Sequence, residues 1–199
     1  MVAQKIWGPL ALASIAGAGW LLWQLNRPGA RPARRTDPIL SDLLLQQAGR
    51  IDYADAWAAP IADGETDDPL AWTRALGAAA FNLPAVAALM RVRNAVVRLV
   101  GLAAVADHDL PASRFPVLAE GDHELVTGLT DQHLNFCLGV DTHDQRVTLT
   151  TTVTLNNRFG AAYWWGAVRW FHPAIVAALL RHAHVTAADE AQESAGAGN

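Results

Sequence analysis

The spacing of apolar residues along the folded part of the chain changes near Phe115 from a helical period to an alternation of two. Before this point, residues 50–61 alternate weakly and predict a first strand that ends at Pro60. After it, four alternating segments are joined by short, turn-rich connectors. They predict four strands, over residues 115–120, 123–129, 133–141 and 146–156. We expect these strands to form an antiparallel sheet with one buried face.

The last two predicted strands have the clearest alternation. In the final one, five residues are expected to face the core, namely Val147, Leu149, Thr151, Val153 and Leu155, while the four threonines between them face away. In the strand before it, Leu134, Phe136, Leu138 and Val140 share one side and Cys137 lies on the other. Because Cys137 is the only cysteine, the chain can form neither an internal disulfide nor a cysteine-based metal cluster.

Two helices are predicted between the first strand and the other four. Asp68 and Pro69 make a good helix start, because an aspartate side chain caps free backbone N–H groups and proline fits the first helical position. This helix continues through Ala80. Pro84 begins the second helix, and Gly101 is placed to end it.

A long C-terminal helix is predicted over residues 161–184, where the period becomes helical again. Its apolar arc consists of Trp164, Trp165, Val168, Phe171, Ile175, Val176 and Leu179, with Tyr163 and Trp170 on the opposite side. A membrane span would place Arg169 near its centre, at a cost of roughly 2.5–3.5 kcal/mol. We therefore expect a helix packed across the sheet, whose aromatic arc is either plain core or the wall of a pocket.

The N-terminal segment is apolar over residues 6–25, a length that matches the roughly 20 residues needed to cross a bilayer. We expect an uncleaved transmembrane anchor. A cleaved signal peptide is the alternative, but its apolar region is usually shorter, about 7–15 residues. Four arginines follow at once, at Arg27, Arg31, Arg34 and Arg35. The positive-inside rule then predicts a single-pass protein of the inner membrane, with its globular domain in the cytoplasm.

The predicted organisation is therefore an anchor over residues 1–26, an extended linker rich in arginine and proline over 27–48, a globular domain over 49–185 and a disordered tail over 186–199. The expected fold class is α+β, with an antiparallel sheet of about five strands packed on the long C-terminal helix. The formal net charge of −4 provides no basic surface for a polyanion, so we do not expect a nucleic-acid partner.

Histidines are the main candidates for chemistry. His123, His133 and His143 recur every ten residues beside acidic residues, and they could ligate a metal if they converged. Their places at strand starts and in a hairpin turn favour solvated turn residues instead. His172 could act as a general acid or base in a pocket, or it could be a buried histidine with satisfied hydrogen bonds. We predict no catalytic residue, no metal ligand and no cofactor.

Four segments resemble a known family: DYADAW at residues 52–57, DQHLNFCLGV at 131–140, VTLTTTVTLNNRFGAAYW at 147–164 and FHPAIVAALLRH at 171–182. In this order they are similar to the bacterial domain of unknown function 2867. The order of the predicted elements also resembles the helix-grip arrangement of START-like ligand-binding domains. The resemblance covers roughly residues 50–185. It implies a sheet that grips a helix with a cavity between them, and it supplies no catalytic residues.

Three hypotheses follow for the function. In the leading one, the domain binds a small apolar or amphipathic ligand between the C-terminal helix and the sheet, in a site lined by Trp164, Trp165, Val168, Phe171 and His172 on the helix and by Phe136 on the sheet. The second is a histidine-dependent enzyme. The third is a domain without a pocket that docks a partner protein, of unknown identity, at the membrane through Trp170 and Tyr163.

Overall fold

The computed structural model describes residues 31–84, 115–130 and 132–185, together with Trp20 and Trp23. In chain order the elements are β1 (Arg34–Thr36), α1 (Asp42–Ala48), β2 (Tyr53–Pro60), α2 (Pro69–Asn82), β3 (Val117–Glu120), β4 (Glu124–Thr130), β5 (Leu134–Asp141), β6 (Arg146–Leu155), α3 (Arg158–Tyr163), a π-helical turn (Trp164–Val168) and α4 (Arg169–His182). The last three run on directly from one another and are called the C-terminal helix.

All six strands form one antiparallel sheet in the order β1-β2-β6-β5-β4-β3. The first long strand therefore lies beside the last one, and the register of the pairs aligns residues from four strands in one row. In that row Asp55 lies opposite Thr151, Thr151 opposite Leu138, and Leu138 opposite Thr127. Residues directly opposite each other in an antiparallel pair project to the same side of the sheet. The row therefore places three polar side chains on one face.

The predicted α+β class, the antiparallel strands and the packed C-terminal helix are confirmed. The helix start at Asp68 is confirmed in detail, because its carboxylate accepts hydrogen bonds from the backbone N–H groups of Leu70 and Ala71, at 2.9 and 3.0 Å. On the side of the sheet that carries the C-terminal helix, one core contains Trp72 of α2, Val176 and Leu180 of α4, and apolar residues of β2, β5 and β6.

Residues 31–48, which the sequence analysis assigns to an extended linker, contribute regular structure to the domain. β1 adds a sixth strand at the edge of the sheet, and α1 begins at Ser41, whose hydroxyl accepts a hydrogen bond from the N–H of Leu44 at 3.0 Å. Arg31, in the same stretch, is also part of the folded domain. Its guanidinium is buried, forms two bonds to Glu65 and donates to the carbonyl oxygen of Ala183 at 3.0 Å.

The missed helix α1 corrects the expectation of a single buried face. Leu44 is fully buried and packs with Val126 and Cys137 on the side of the sheet opposite the C-terminal helix. Thr148, Thr150 and Thr152, expected to face solvent, are buried on this same side. Both faces of the central strands are therefore covered, because α1 is packed against the face that carries the threonines.

The C-terminal helix is interrupted by the π-helical turn, in which the N–H of Arg169 donates to the carbonyl oxygen of Trp164 five residues earlier. Pro173 lies one turn further on and has no N–H to donate to Arg169, and such breaks in the hydrogen-bond ladder commonly accompany a proline. A π turn shifts the phase of the helix. The predicted buried arc consequently holds for Trp164 and Val176, whereas Trp165 is 40% exposed.

The start of the C-terminal helix is fixed against the β4–β5 connection. Asn157 caps the helix by accepting from the N–H of Gly160 at 2.9 Å, and its amide lies 3.0 Å from Nδ1 of His133. A Cβ at Gly160 would collide with the carbonyl oxygen of His133, so only glycine permits this close approach. This packing determines where Trp164, one turn further along, enters the core.

Among the described residues, no helix is long and apolar enough to cross a membrane, and this applies to the C-terminal helix as well. The predicted anchor over residues 6–25 lies outside the described residues, except for Trp20 and Trp23. The predicted second helix after Pro84 and the predicted tail over residues 186–199 lie outside them as well.

Candidate functional site

A buried carboxylate lies between β2 and the C-terminal helix. Asp55 is 2% exposed, and its two oxygens have different partners. Oδ1 is 3.0 Å from Nε2 of His172, and Oδ2 accepts a hydrogen bond of 3.0 Å from the hydroxyl of Tyr53. A buried carboxylate is tolerated only when its charge is compensated or its oxygens are hydrogen-bonded. His172 and Tyr53 meet that requirement here.

Strand geometry and helix packing bring these groups together. Tyr53 and Asp55 are two residues apart on β2, so both side chains point towards the C-terminal helix. The centre of the Trp164 ring is 5.0 Å from that of the Tyr53 ring and 5.4 Å from that of the His172 ring. Tyr53 and His172 themselves are 6.2 Å apart, edge to face. Two of these three mutually contacting rings, Tyr53 and His172, hydrogen-bond to the carboxylate.

The same setting makes Tyr53 a persistent hydrogen-bond donor. Burial, followed by the charge of Asp55 and the hydrogen bond to it, raises the pKa of Tyr53 to about 12. The phenol therefore remains protonated throughout the physiological range and keeps donating to Asp55.

Two further polar groups near Asp55 are buried without a hydrogen-bond partner. Thr151, directly opposite Asp55 on β6, is 2% exposed with an unpaired hydroxyl, and Trp164 is 4% exposed with an unpaired indole N–H. On the same face, the indole N–H of Trp57 and the hydroxyl of Thr127 are also unpaired. Each such group costs about 1–3 kcal/mol when left unsatisfied. We call Tyr53, Asp55, Thr151, Trp164 and His172 the buried polar cluster.

The predicted ligand-binding residues converge only in part. Trp164 and His172 belong to the buried polar cluster. Trp165 lies at its rim, partly exposed, with its ring 6.3 Å from Tyr53 and the guanidinium of Arg169 5.0 Å from the Trp165 ring centre. Val168 and Phe171 are half-buried.

Phe136 lies apart from the helix residues of the predicted site. It is opposite Val153 on β6, which in turn is opposite Tyr53, so Phe136 stands two strands away from the cluster on the same face. Neighbouring strands are about 4.8 Å apart, which separates the two positions by roughly 10 Å. Its ring contacts Phe115 edge to face at 5.1 Å.

The sequence analysis missed Asp55, Tyr53 and Thr151. One signal could have identified the aspartate: in the alternation of β2, Asp55 occupies the same side as the aromatic residues Tyr53 and Trp57. A charged residue at a core-facing strand position needs a partner from another element. The sequence alone does not say which element provides it.

The three regularly spaced histidines do not converge. His123 and His143 lie together, with ring centres 4.6 Å apart, and Nδ1 of His143 is 2.9 Å from Oδ2 of Asp141. His133 is elsewhere, against Phe159 at 5.0 Å. Within the described ranges, no group of three or more histidine, cysteine, aspartate or glutamate side chains has the geometry to hold a metal ion. The expectation of solvated turn residues holds best for His143.

His123 and His143 line an open cleft of about 640 Å³ at the end of the sheet near α1, together with Ser41, Asp122, Glu124 and Asp141. We call it the histidine cleft. The hydrogen bond and charge of Asp141 raise the pKa of His143. Burial raises the pKa of Glu124, partly offset by the hydrogen bond from the Ser41 hydroxyl at 2.7 Å. These groups have hydrogen-bond partners or contact solvent, unlike the unpaired groups of the buried polar cluster.

Comparison with known proteins links the chain to one family model, described as "Protein of unknown function (DUF2867)", which matches residues 47–179. The matched range includes every member of the buried polar cluster. Neither the curated proteins nor the solved structures include a match to the chain.

Proposed function

The chain belongs to the DUF2867 family of proteins of unknown function, and from the buried polar cluster we propose that its domain binds a small amphipathic molecule between the C-terminal helix and the sheet. A ligand in this position would agree with the helix-grip arrangement expected from the sequence. Its polar end is the cluster around Asp55, and its apolar end is formed by aromatic rings of the helix and the sheet.

The proposal rests on one observation: two buried polar groups lack hydrogen-bond partners, whereas both oxygens of the nearby Asp55 carboxylate have them. Asp55 has partners on both oxygens, whereas the neighbouring Thr151 hydroxyl and the Trp164 indole N–H have none. Buried polar groups in folded proteins are nearly always hydrogen-bonded, to protein, water or ligand. Ligand atoms that bonded to these groups would offset the cost of burying them without partners.

The apolar part of the ligand has aromatic surfaces to pack against. Tyr53, Trp164 and Trp165 present ring faces and edges around the cluster, and Trp165, partly exposed, marks its edge towards solvent. Ligand sites of this kind are mostly apolar, with a few polar groups that orient the bound molecule.

Binding is favoured over catalysis by the state of the polar groups. The pKa of Tyr53 is raised to about 12, so the phenol is protonated near neutral pH and is a poor general base there. Both oxygens of Asp55 are occupied by the hydrogen bonds that keep it buried. The cluster thus has the means to hold and orient a molecule, and it lacks a nucleophile activated by a free base.

Native mass spectrometry of the gently purified full chain tests the proposal. An extra mass that is lost on denaturation is the expected result, together with weaker retention in Trp164→Phe, which removes only the indole N–H and part of the ring. Trp170→Phe is the matched control, because Trp170 is 69% exposed and lies away from the cluster. A bare mass with no uptake of added amphiphiles would contradict the proposal.

Docking of a partner protein is the second candidate, and the exposure of Trp170 favours it. Its ring is 5.5 Å from the Arg169 guanidinium, which also contacts Trp165, so two tryptophans and one cation form a partly exposed patch. Tryptophan and arginine are enriched at the energetic centres of protein interfaces. Loss of a copurifying protein in Trp170→Ala, with ligand retention unchanged, would support this role.

We also propose that residues 6–25 anchor the chain in the inner membrane with the domain on the cytoplasmic side, as the apolar length and the following arginines suggest. Fractionation of cells and protease treatment of spheroplasts test the location. The chain should remain in the membrane fraction after carbonate washing, and a tag at its C-terminus should be protected. A soluble chain or a digested tag would contradict the proposal.

A further inference from the structure

We infer that the oxygen recognised at the buried polar cluster is uncharged, as in an alcohol, ketone, ester or amide, and that carboxylate ligands are rejected. This inference rests on the proposed function. It concerns the chemical class of the ligand's polar end, and it is argued from the unpaired groups and the fixed charge that surround the site.

The missing partner is a hydrogen-bond acceptor. An indole N–H can only donate, so the unpaired Nε1 of Trp164 requires an acceptor atom. The hydroxyl of Thr151 can donate or accept, and it is also unpaired. Oxygen atoms of a ligand would supply partners for these groups. A purely apolar ligand would leave both unpaired and would recover none of their desolvation cost.

The charge of that oxygen is limited by Asp55. Thr151 lies directly opposite Asp55 across the β2–β6 pair, where facing Cβ atoms are about 5 Å apart. An oxygen bound to Thr151 would therefore lie close to the carboxylate. Asp55 is 2% exposed, so little solvent is available to screen a second negative charge beside it.

Other charged groups near the cluster do not remove this restriction. His172 is already engaged with Asp55 through Nε2, so any positive charge on it is shared with that carboxylate. Arg35 and Arg169 act on the same region from further away. At the Tyr53 hydroxyl, burial raises the pKa most, and the charge of Asp55 raises it more than either arginine lowers it.

A neutral oxygen satisfies both conditions. A carbonyl oxygen is an uncharged acceptor with two lone pairs, so it can accept from the Trp164 N–H or from the Thr151 hydroxyl. An alcohol accepts from Trp164 and can donate its own proton to Thr151 or to a remaining lone pair of Asp55. Neither adds a charge next to the buried carboxylate.

A series of ten-carbon probes separates these possibilities: 1-decanol, methyl decanoate, decanoate and decane. Binding to the full chain is measured at pH 8, where decanoate is ionised, by the change in tryptophan fluorescence and by native mass spectrometry. We expect 1-decanol and methyl decanoate to bind at least roughly tenfold more tightly than decanoate, because of the charge on Asp55. Decane should also bind more weakly than either, since it brings no acceptor.

Two variants assign the effect to the named residues. Asp55→Asn removes the charge while keeping the side-chain shape, and it should bring the affinity for decanoate towards that for 1-decanol. Thr151→Val removes an unpaired hydroxyl at almost constant volume, so it should fold well, and it should reduce the preference for 1-decanol over decane.

The outcomes distinguish the two proposals. Decanoate binding as tightly as 1-decanol to the unaltered chain would overturn the neutral-oxygen inference and leave ligand binding in place. Equal binding of decane and 1-decanol would overturn it as well, because the acceptor would then be irrelevant. If no probe binds and the purified chain carries no extra mass, both the inference and the proposed function fail.

Discussion

Among the described residues, two pairs of histidine and aspartate have almost the same separation in different surroundings. His172 and Asp55 are 3.0 Å apart with side chains 13% and 1% exposed, whereas His143 and Asp141 are 2.9 Å apart with side chains 60% and 11% exposed. The two residues of the first pair are 117 positions apart in the sequence, whereas those of the second are two positions apart. The distance between the atoms is therefore a poor guide to what each pair does.

The two pairs differ in their access to solvent. At the exposed pair, solvent hydrates either residue if the other is removed, so the pair adds little to stability. At the buried pair, solvent has little access to either side chain, and removal of one residue leaves a desolvated polar group. The same dry environment makes the unpaired Thr151 and Trp164 informative, because in the histidine cleft an unpaired group would simply be hydrated.

The largest expected effect is on stability, from the same substitution at both histidines. His172→Ala should lower the free energy of unfolding by about 3 kcal/mol, because Oδ1 of Asp55 is left buried without its partner. His143→Ala should change it by about 1 kcal/mol or less. Urea unfolding followed by circular dichroism measures both. Equal losses for the two variants would show that burial does not separate the pairs.

The next prediction concerns the ionisation of Tyr53. Because its folded pKa of about 12 exceeds the unfolded value of 10.0, its contribution to stability is complete below pH 10 and is lost as the pH rises through about 12. Absorbance at 295 nm in a Tyr163→Phe background isolates Tyr53, since the chain has two tyrosines. Asp55→Asn should bring the midpoint down. A midpoint near 10 in the unaltered residue would contradict the burial of the phenol.

A smaller effect is expected from neighbouring threonines of β6. Thr151→Val should leave the free energy of unfolding unchanged or raise it by up to about 1 kcal/mol, because the hydroxyl it removes is buried and unpaired. Thr150→Val is the matched control on the other face, where the hydroxyl accepts from the N–H of Ile39 at 3.2 Å. It should destabilise the domain by roughly 1 kcal/mol. Destabilisation by Thr151→Val would indicate a partner for that hydroxyl, such as an ordered water.

The smallest effect is expected in the histidine cleft. The pKa of His143 lies above its usual 6.5 because of Asp141, so its contribution to stability is complete below about pH 6.5 and disappears as the pH rises through the folded value. A proton NMR titration of the imidazole measures the value directly. Asp141→Asn should return it towards 6.5. An unchanged midpoint in that variant would mean that Asp141 does not interact with the ring in solution.

Much of the fold could be predicted because its signals are local. The helix cap at Asp68 and the strands predicted from the alternation of residues 133–141 and 146–156 depend on neighbouring residues alone, and these elements are confirmed. Helix α1 was missed because it is only seven residues long, too short for a periodic pattern, although Leu44 is one of its buried residues. The exposure of Trp165 was missed because a π turn shifts the phase on which a helical wheel depends.

The sequence by itself determined the α+β class, the positions of the main strands along the chain and the family. It also identified two members of the candidate site, Trp164 and His172. These follow from periodicity, capping and recognisable segments, which are properties of short stretches of chain. Only the tertiary structure decided that Asp55 is the partner of His172 and that Thr151 lies beside it unpaired. That outcome depends on the register between β2 and β6 and on the rotation of the helix above them, and both result from packing between distant segments.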